Sequence, residues 1–199
     1  MTKNFYEGLK ERRSYYGISK ENVISDEKLQ ELIEDVVKHT PSAFNSQTAR
    51  VVLLLGKNHT KLWDITTEIM RQKLSPEQFP TTEGKLKTFE AGYGTVLFFE
   101  DTSIVKSLQE QFPSYKDNFP IWSLESSGMN QYNVWLALEL EGYGASLQHY
   151  NELIEEDVKK EWNIPDSWQL RSQMPFGKAV SEPGEKDFSP IEERVKVYK

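Results

Sequence analysis

The sequence contains no cysteine. That excludes disulfides, thiolate nucleophiles and cysteine-ligated zinc or iron–sulfur centres, and it fits a reducing compartment. Histidine is nearly as scarce: His39, His59 and His149 are the three present, and no HExxH pairing connects them. Metals need denser ligand sets than that, so a His-only metal site is not expected. No GxGxxG follows a β-prone run and no GxxxxGK[ST] occurs, so neither dinucleotide nor P-loop phosphate binding is signalled. A GxSxG elbow is missing too. The strongest apolar runs, Val51–Leu55 and Val96–Phe99, are far too short to cross a bilayer. Met1 to Arg13 is a mixed-charge stretch without an apolar signal core. Excess positive charge is also lacking: the formal net charge is −7, which argues against a broad electrostatic footprint for nucleic acid. The absences together predict a soluble, cytoplasmic protein with no membrane or nucleic-acid partner. Internal repeats and low-complexity blocks do not occur.

What is present suffices for a core. With 199 residues, 37% of them hydrophobic and 12% aromatic, the chain reads as a single folded domain spanning residues 1–199. A first helix is expected from about Asn4 to Arg12. A second follows Ser25, a good N-cap, with Asp26 and Glu27 in its first turn and an apolar stripe of Leu29, Leu32, Ile33, Val36 and Val37. It stops near Thr40, ahead of Pro41. Val51–Leu55 reads as a buried strand closed by a Gly56-Lys57-Asn58 turn. Further helices are expected over about 60–73, 126–141 and 153–162, and further strands over 95–100, 145–149 and 168–176. Mixed helices and strands point to a layered α/β or α+β fold. The tail, 181–199, is polar; Val195, Val197 and Tyr198 give it alternating apolar side chains suited to an edge strand. A disordered tail and an arm packed on a partner are both open readings.

Three polar clusters carry candidate chemistry. Arg12-Arg13-Ser14 offers two guanidiniums and a hydroxyl to a phosphate, or simply cations matched to a helix C-terminus. Pro41-Ser42-Ala43-Phe44-Asn45-Ser46-Gln47 is a polar loop leading into a buried strand. Its amides both donate and accept, which suits a flavin or a base; ordinary loop chemistry explains it equally well. Gly144 to Asn151 ends a strand in Gln148 and His149, a usual place for ligands in layered folds, although a satisfied structural imidazole fits His149 alone.

In this order and spacing the clusters resemble the nitroreductase family of FMN-dependent oxidoreductases over nearly the whole chain. Arg12-Arg13-Ser14 is similar to the family's RRS element, and Pro41–Gln47 to its PSxxNxQ loop. Ala91–Asp101, Leu147–Asn151 and Gln173-Met174-Pro175-Phe176-Gly177 look like a smaller branch, that of the yeast fatty-acid-response nitroreductase-like proteins and related bacterial nitroreductases.

The resemblance implies an α+β fold, a mixed or antiparallel sheet flanked by helices, in an intertwined homodimer with two FMN sites. It makes residues 181–199 a C-terminal arm lying on the partner subunit. Arg12, Arg13 and Ser14 would face the phosphate or ribityl end of FMN. Ser42, Asn45 and Gln47 would reach the cofactor across the interface. Lys85 would stand near the pyrimidine end, Leu147, Gln148 and His149 would border the ring, and Lys186 would reach the phosphate. Phe44, Phe119 and Trp122 could wall a substrate pocket, or be plain packing. Tyr16, Phe188 and His149 depart from the common pattern, the first two replacing basic residues and the third an acidic one; Arg194 is a candidate substitute for the missing arm cation. The activity implied is reduction of nitroaromatic or quinone-like acceptors, small aromatic molecules, by NADH or NADPH through ping-pong hydride transfer at flavin N5. A slow-turnover flavin-binding sensor is the alternative, and a cofactor-free interaction protein a third reading.

Overall fold

The computed structural model describes residues 3–199. Its elements are α1 (Phe5–Glu11), β1 (Ile18–Ser19), α2 (Asp26–His39), β2 (Ala49–Leu55), α3 (Gly56–Lys73), α4 (Phe79–Glu90), β3 (Gly94–Asp101), α5 (Thr102–Gln111), α6 (Asn118–Glu141), β4 (Tyr143–Ala145), α7 (Asn151–Trp162), β5 (Trp168–Ala179) and α8 (Ile191–Arg194). Antiparallel pairing links the strands in the order β1-β5-β3-β2, with β4 also on β5.

β3 occupies the middle of the sheet, and every one of its residues is buried. Its side chains alternate between two cores, as the period of a strand demands. Leu97 and Phe99 pack with Leu62, Trp63, Leu86, Phe89, Ile154 and Val158 of α3, α4 and α7. Val96 and Phe98 pack on the other face with Leu29 and Ile33 of α2 and Val134 and Leu138 of α6. Both faces of the sheet are thus covered, which is why the apolar run at Val96–Phe99 is continuous rather than alternating. The α+β class, with helices flanking an antiparallel sheet, is as the sequence implies. Among the described residues no helix is long and apolar enough to cross a membrane.

Several boundaries differ from expectation. Gly56-Lys57-Asn58 is no turn: Gly56 takes φ 52° and α3 starts there directly, a conformation only glycine adopts without cost. α6 begins at Asn118 rather than near Ser126, and α4 and α5 add two helices to those expected. β4 ends at Ala145, and of the following residues only Gln148 bridges back, to Gln173. In the tail, α8 and its surroundings are exposed.

Candidate active site

α1 delivers the first arginines. Asn4 caps it, accepting from the backbone N–H groups of Tyr6 and Glu7 in a capping box, and Arg12 stands at its C-cap. Beyond it the chain runs alongside β4: Ser14 bridges Ala145, and the Tyr15 N–H donates to the Ala145 carbonyl at 2.9 Å. Gly144 permits this approach, because a Cβ there would come within 2.8 Å of the Tyr15 ring. Arg12, Arg13 and Ser14 are therefore held beside the strip that continues into Leu147, Gln148 and His149.

A pocket of about 370 Å³ opens here, lined by Arg12, Arg13, Ser14, Tyr16, Gly184 and Lys186 with their neighbours. Arg13 Nη2 donates to the Gly184 carbonyl at 2.6 Å and so ties the tail to α1. Lys186 Nζ lies 5.0 Å from the Phe188 ring centroid. The Arg12 guanidinium lies 4.2 Å from the centre of the Trp135 ring and 6.0 Å from that of Tyr132. Its Nε and Nη1, and the Trp135 indole Nε1, are buried and have no hydrogen-bond partner among the described residues. Unmet donors on Arg12, with Arg13 and Lys186 lining the same pocket against a single carboxylate, Glu185, fit an anion such as the phosphate of FMN. Trp135 carried no distinguishing signal in the sequence, where it reads as one more residue of an apolar helix.

Along the strip, Gln148 is buried, exchanging backbone hydrogen bonds with Gln173 at 2.7 and 2.9 Å and donating from Nε2 to Ser146 Oγ at 3.1 Å. Leu147 is half-buried and His149 exposed. Lys85 is exposed on α4; its Nζ is 5.6 Å from the Phe89 ring, which in turn pairs with Tyr16 of the arginine pocket at 6.4 Å. Arg194, in α8, does not line the pocket.

Ser42, Asn45 and Gln47 lie elsewhere on the protomer. Ser42 and Gln47 line a second pocket of about 410 Å³ with Lys38, Arg50, Ser126 and Asn130; Asn45 and Gln47 are exposed. Phe44, Asn45 and Gln47 take φ values of 58°, 50° and 48°, a left-handed backbone that costs non-glycine residues about 1–3 kcal/mol each. The loop is held there by the Gln47 N–H donating to Ser42 Oγ at 2.9 Å. Phe44 also packs against Phe112, Tyr115, Phe119 and Trp122, with ring centroids 5.2–5.9 Å apart. Phe44 nonetheless stays 51% exposed.

Residues 9–178 match the profile of the Nitroreductase family. The chain belongs to this family. The Saccharomyces cerevisiae proteins HBN1 and FRM2, the latter described as a nitroreductase, are 34% and 32% identical to this nitroreductase-family chain. Those alignments cover 90% and 99% of it and 90% and 98% of them. Nitroreductase CinD from Lactococcus lactis, solved in complex with chloramphenicol, is 45% identical over 98% of this chain and 100% of that one, with a TM-score of 0.90. The same protein solved with 4-nitrophenol gives 48% and 0.87 over the same shares. A structure from Exiguobacterium sibiricum, solved in complex with FMN, shares the fold at 15% identity and a TM-score of 0.71 over 100% of both chains. Like its nitroreductase relatives, the protein is an oxidoreductase.

Proposed function

We propose that the protein is an FMN-dependent oxidoreductase that takes hydride from NADH or NADPH and reduces nitroaromatic or quinone-like acceptors, acting as a homodimer with the cofactor at the subunit interface. The carrying observation is Arg12, which has two buried donors without partners, Nε and Nη1, and which lines one pocket with Arg13, Ser14 and Lys186. A phosphate monoester supplies the acceptor oxygens that such donors lack. Arg12, Arg13 and Lys186 would hold the phosphate, and Ser14 the adjoining ribityl chain. FMN, when bound, supplies a ring that accepts hydride at N5 and passes it on from the same face, which makes reductant and acceptor alternate in ping-pong order.

The remaining work falls to the chain. Leu147, Gln148 and His149 would border the ring, their strip fixed by the Gln148–Gln173 pairing. Positive charge from Lys85 would favour the electron-rich form of the ring by the same electrostatics that stabilise an oxyanion. Within one protomer the Ser42–Gln47 loop lines a different pocket from the arginines, and its exposed amides suit contact with the cofactor of a second copy. The exposed arm supports the dimer too: Val195, Val197 and Tyr198 have no cover of their own, and the outer edge of β2 has no strand partner among the described residues. Chloramphenicol and 4-nitrophenol, bound in the Lactococcus lactis structures, support a nitroaromatic acceptor class.

The test is direct. Purified protein should be yellow, and NADH or NADPH should bleach it anaerobically before a nitroaromatic restores the colour. A colourless protein that cannot be reconstituted with FMN would refute the reading.

A further inference from the structure

The end of the sheet under the first half of α6 is polar where a core would be apolar. Glu100 of β3 is fully buried, and its Oε2 accepts from Ser123 Oγ at 2.6 Å. Its Oε1 has no hydrogen-bond partner among the described residues, and neither have the buried atoms Thr48 Oγ1, Asn130 Oδ1, Arg171 Nε and Ser172 Oγ. The β3–β5 register explains the crowding. Phe98 stands opposite Ser172 and Phe99 opposite Leu170, so Arg171 is the extra residue of a β-bulge, which re-aims side chains at that point. Glu100 follows Phe98 by two and so faces α6, where Ser123, Ser126, Ser127 and Asn130 are buried in place of apolar residues.

A carboxylate here is only partly compensated. Arg50 of β2 is committed elsewhere, Nη2 to Asp101 at 3.3 Å and Nη1 to the carbonyls of Gln47 and Ala49 at 2.8 and 2.9 Å. Arg171 of β5 is close enough to be felt but makes no ion pair with Glu100. Asp101 adds a like charge next along β3, and the facing side of α6 brings only hydroxyls and the Asn130 amide. Burial pushes Glu100 above the usual carboxylate range, against the opposing pull of Ser123, Thr48, Arg171 and Arg50. Unmet polar atoms in so polar an enclosure are the usual setting of ordered water. Asn130 and Ser126 also line the pocket of Ser42 and Gln47, so the enclosure adjoins that opening.

We propose that Glu100 is a buried proton store, linked to the Ser42–Gln47 pocket by water held among Thr48, Asn130, Arg171 and Ser172. The store stands on its own geometry; its use rests on the oxidoreductase reading. Reduction of a nitro group takes one hydride from the reduced cofactor and one proton, breaks an N–O bond, and releases water and a nitroso product. Glu100 supplies that proton through the water and regains one from solvent, ending each turnover as it began.

The experiment compares the FMN-loaded protein with its Glu100→Gln variant. Infrared difference spectra at neutral pH should show a deuterium-sensitive neutral-carboxyl band in the parent that is missing in Glu100→Gln. Ser123→Ala, which removes the hydroxyl that donates to Glu100 Oε2, should shift the band and so serves if Glu100→Gln fails to fold. Acceptor reduction by Glu100→Gln should be at least about tenfold slower, without the parent's decline towards alkaline pH, while FMN retention is unchanged. A band that survives in Glu100→Gln, or is unmoved by Ser123→Ala, overturns the store. Reduction rates within about twofold at every pH overturn its use. If the parent protein reduces no acceptor at all, the functional reading fails, and the infrared band still decides the store.

Discussion

Replacing Arg12 by methionine should move stability and cofactor affinity in opposite directions. Methionine keeps much of the length and the contact with Trp135 but has no donors. In the apoprotein, Arg12 Nε and Nη1 are buried and unmet, and each such donor costs about 1–3 kcal/mol. Against that stands the guanidinium stacked 4.2 Å from the Trp135 ring, an interaction of about 1–2 kcal/mol. The balance makes apo Arg12→Met more stable by about 2–3 kcal/mol. The same change removes charge-assisted bonds to the phosphate, a loss of about 3 kcal/mol or about 150-fold in Kd. Urea unfolding of the apoprotein gives the first quantity, and quenching of flavin fluorescence on binding gives the second. An apo variant less stable than the parent, with FMN affinity unchanged, would refute the reasoning, because Arg12 would then be a structural residue.

Three further outcomes follow from other parts of the molecule. His59 is buried: Trp63 Nε1 donates to Thr95 Oγ1 at 3.0 Å, that hydroxyl lies 2.9 Å from His59 Nδ1, and Nε2 lies 3.1 Å from the Glu90 carbonyl. The chain closes only with the proton on Nε2, and burial pulls its pKa from 6.5 down to about 4. A depressed folded-state pKa gives stability that is present above pH 6.5 and lost as pH falls towards 4. His59→Gln should therefore lose about 2.5 kcal/mol less than the parent between pH 8 and pH 4.5 in urea melts; equal losses would show that His59 does not titrate in this way. At Phe44, where φ is 58°, Phe44→Gly should be more stable than Phe44→Ala by about 1 kcal/mol, the reverse of the usual order. Thermal melts of the two variants decide that. Truncation after Arg194, which removes Val195, Val197 and Tyr198, should shift the protein from dimer towards monomer on gel filtration; an unchanged elution volume would place the arm elsewhere.

The elements legible in the sequence were those whose physics is local. α2 announces itself by the Ser25 cap, whose hydroxyl accepts from the Lys28 N–H, and by an apolar stripe at helical spacing. β3 does so by an unbroken apolar run. The start of α6 was hidden because its first half buries Ser123, Ser126, Ser127 and Asn130, which break the apolar period that would reveal a helix. α4 was hidden because Pro80 and a polar run obscure it, although Pro is at home in a first turn. At the site, Arg12, Arg13 and Ser14 were legible as a cluster, and Lys186, expected at the phosphate from the resemblance alone, lines the same pocket from the far end of the chain. What sequence could not reach was everything set by tertiary neighbours: Trp135 under Arg12, the exposure of Lys85 on α4, and the unmet atoms around Glu100.

The claim on which the account turns is that each cofactor is gripped by two subunits, the arginines coming from one and the Ser42–Gln47 loop from the other. Mixing Arg12→Met protein with Asn45→Ala/Gln47→Ala protein, each deficient in FMN binding, tests it. After unfolding and joint refolding, half of the dimers carry one chain of each kind and so rebuild one intact site, restoring about a quarter of full FMN occupancy. Occupancy no higher than that of the two variants alone would contradict the shared site.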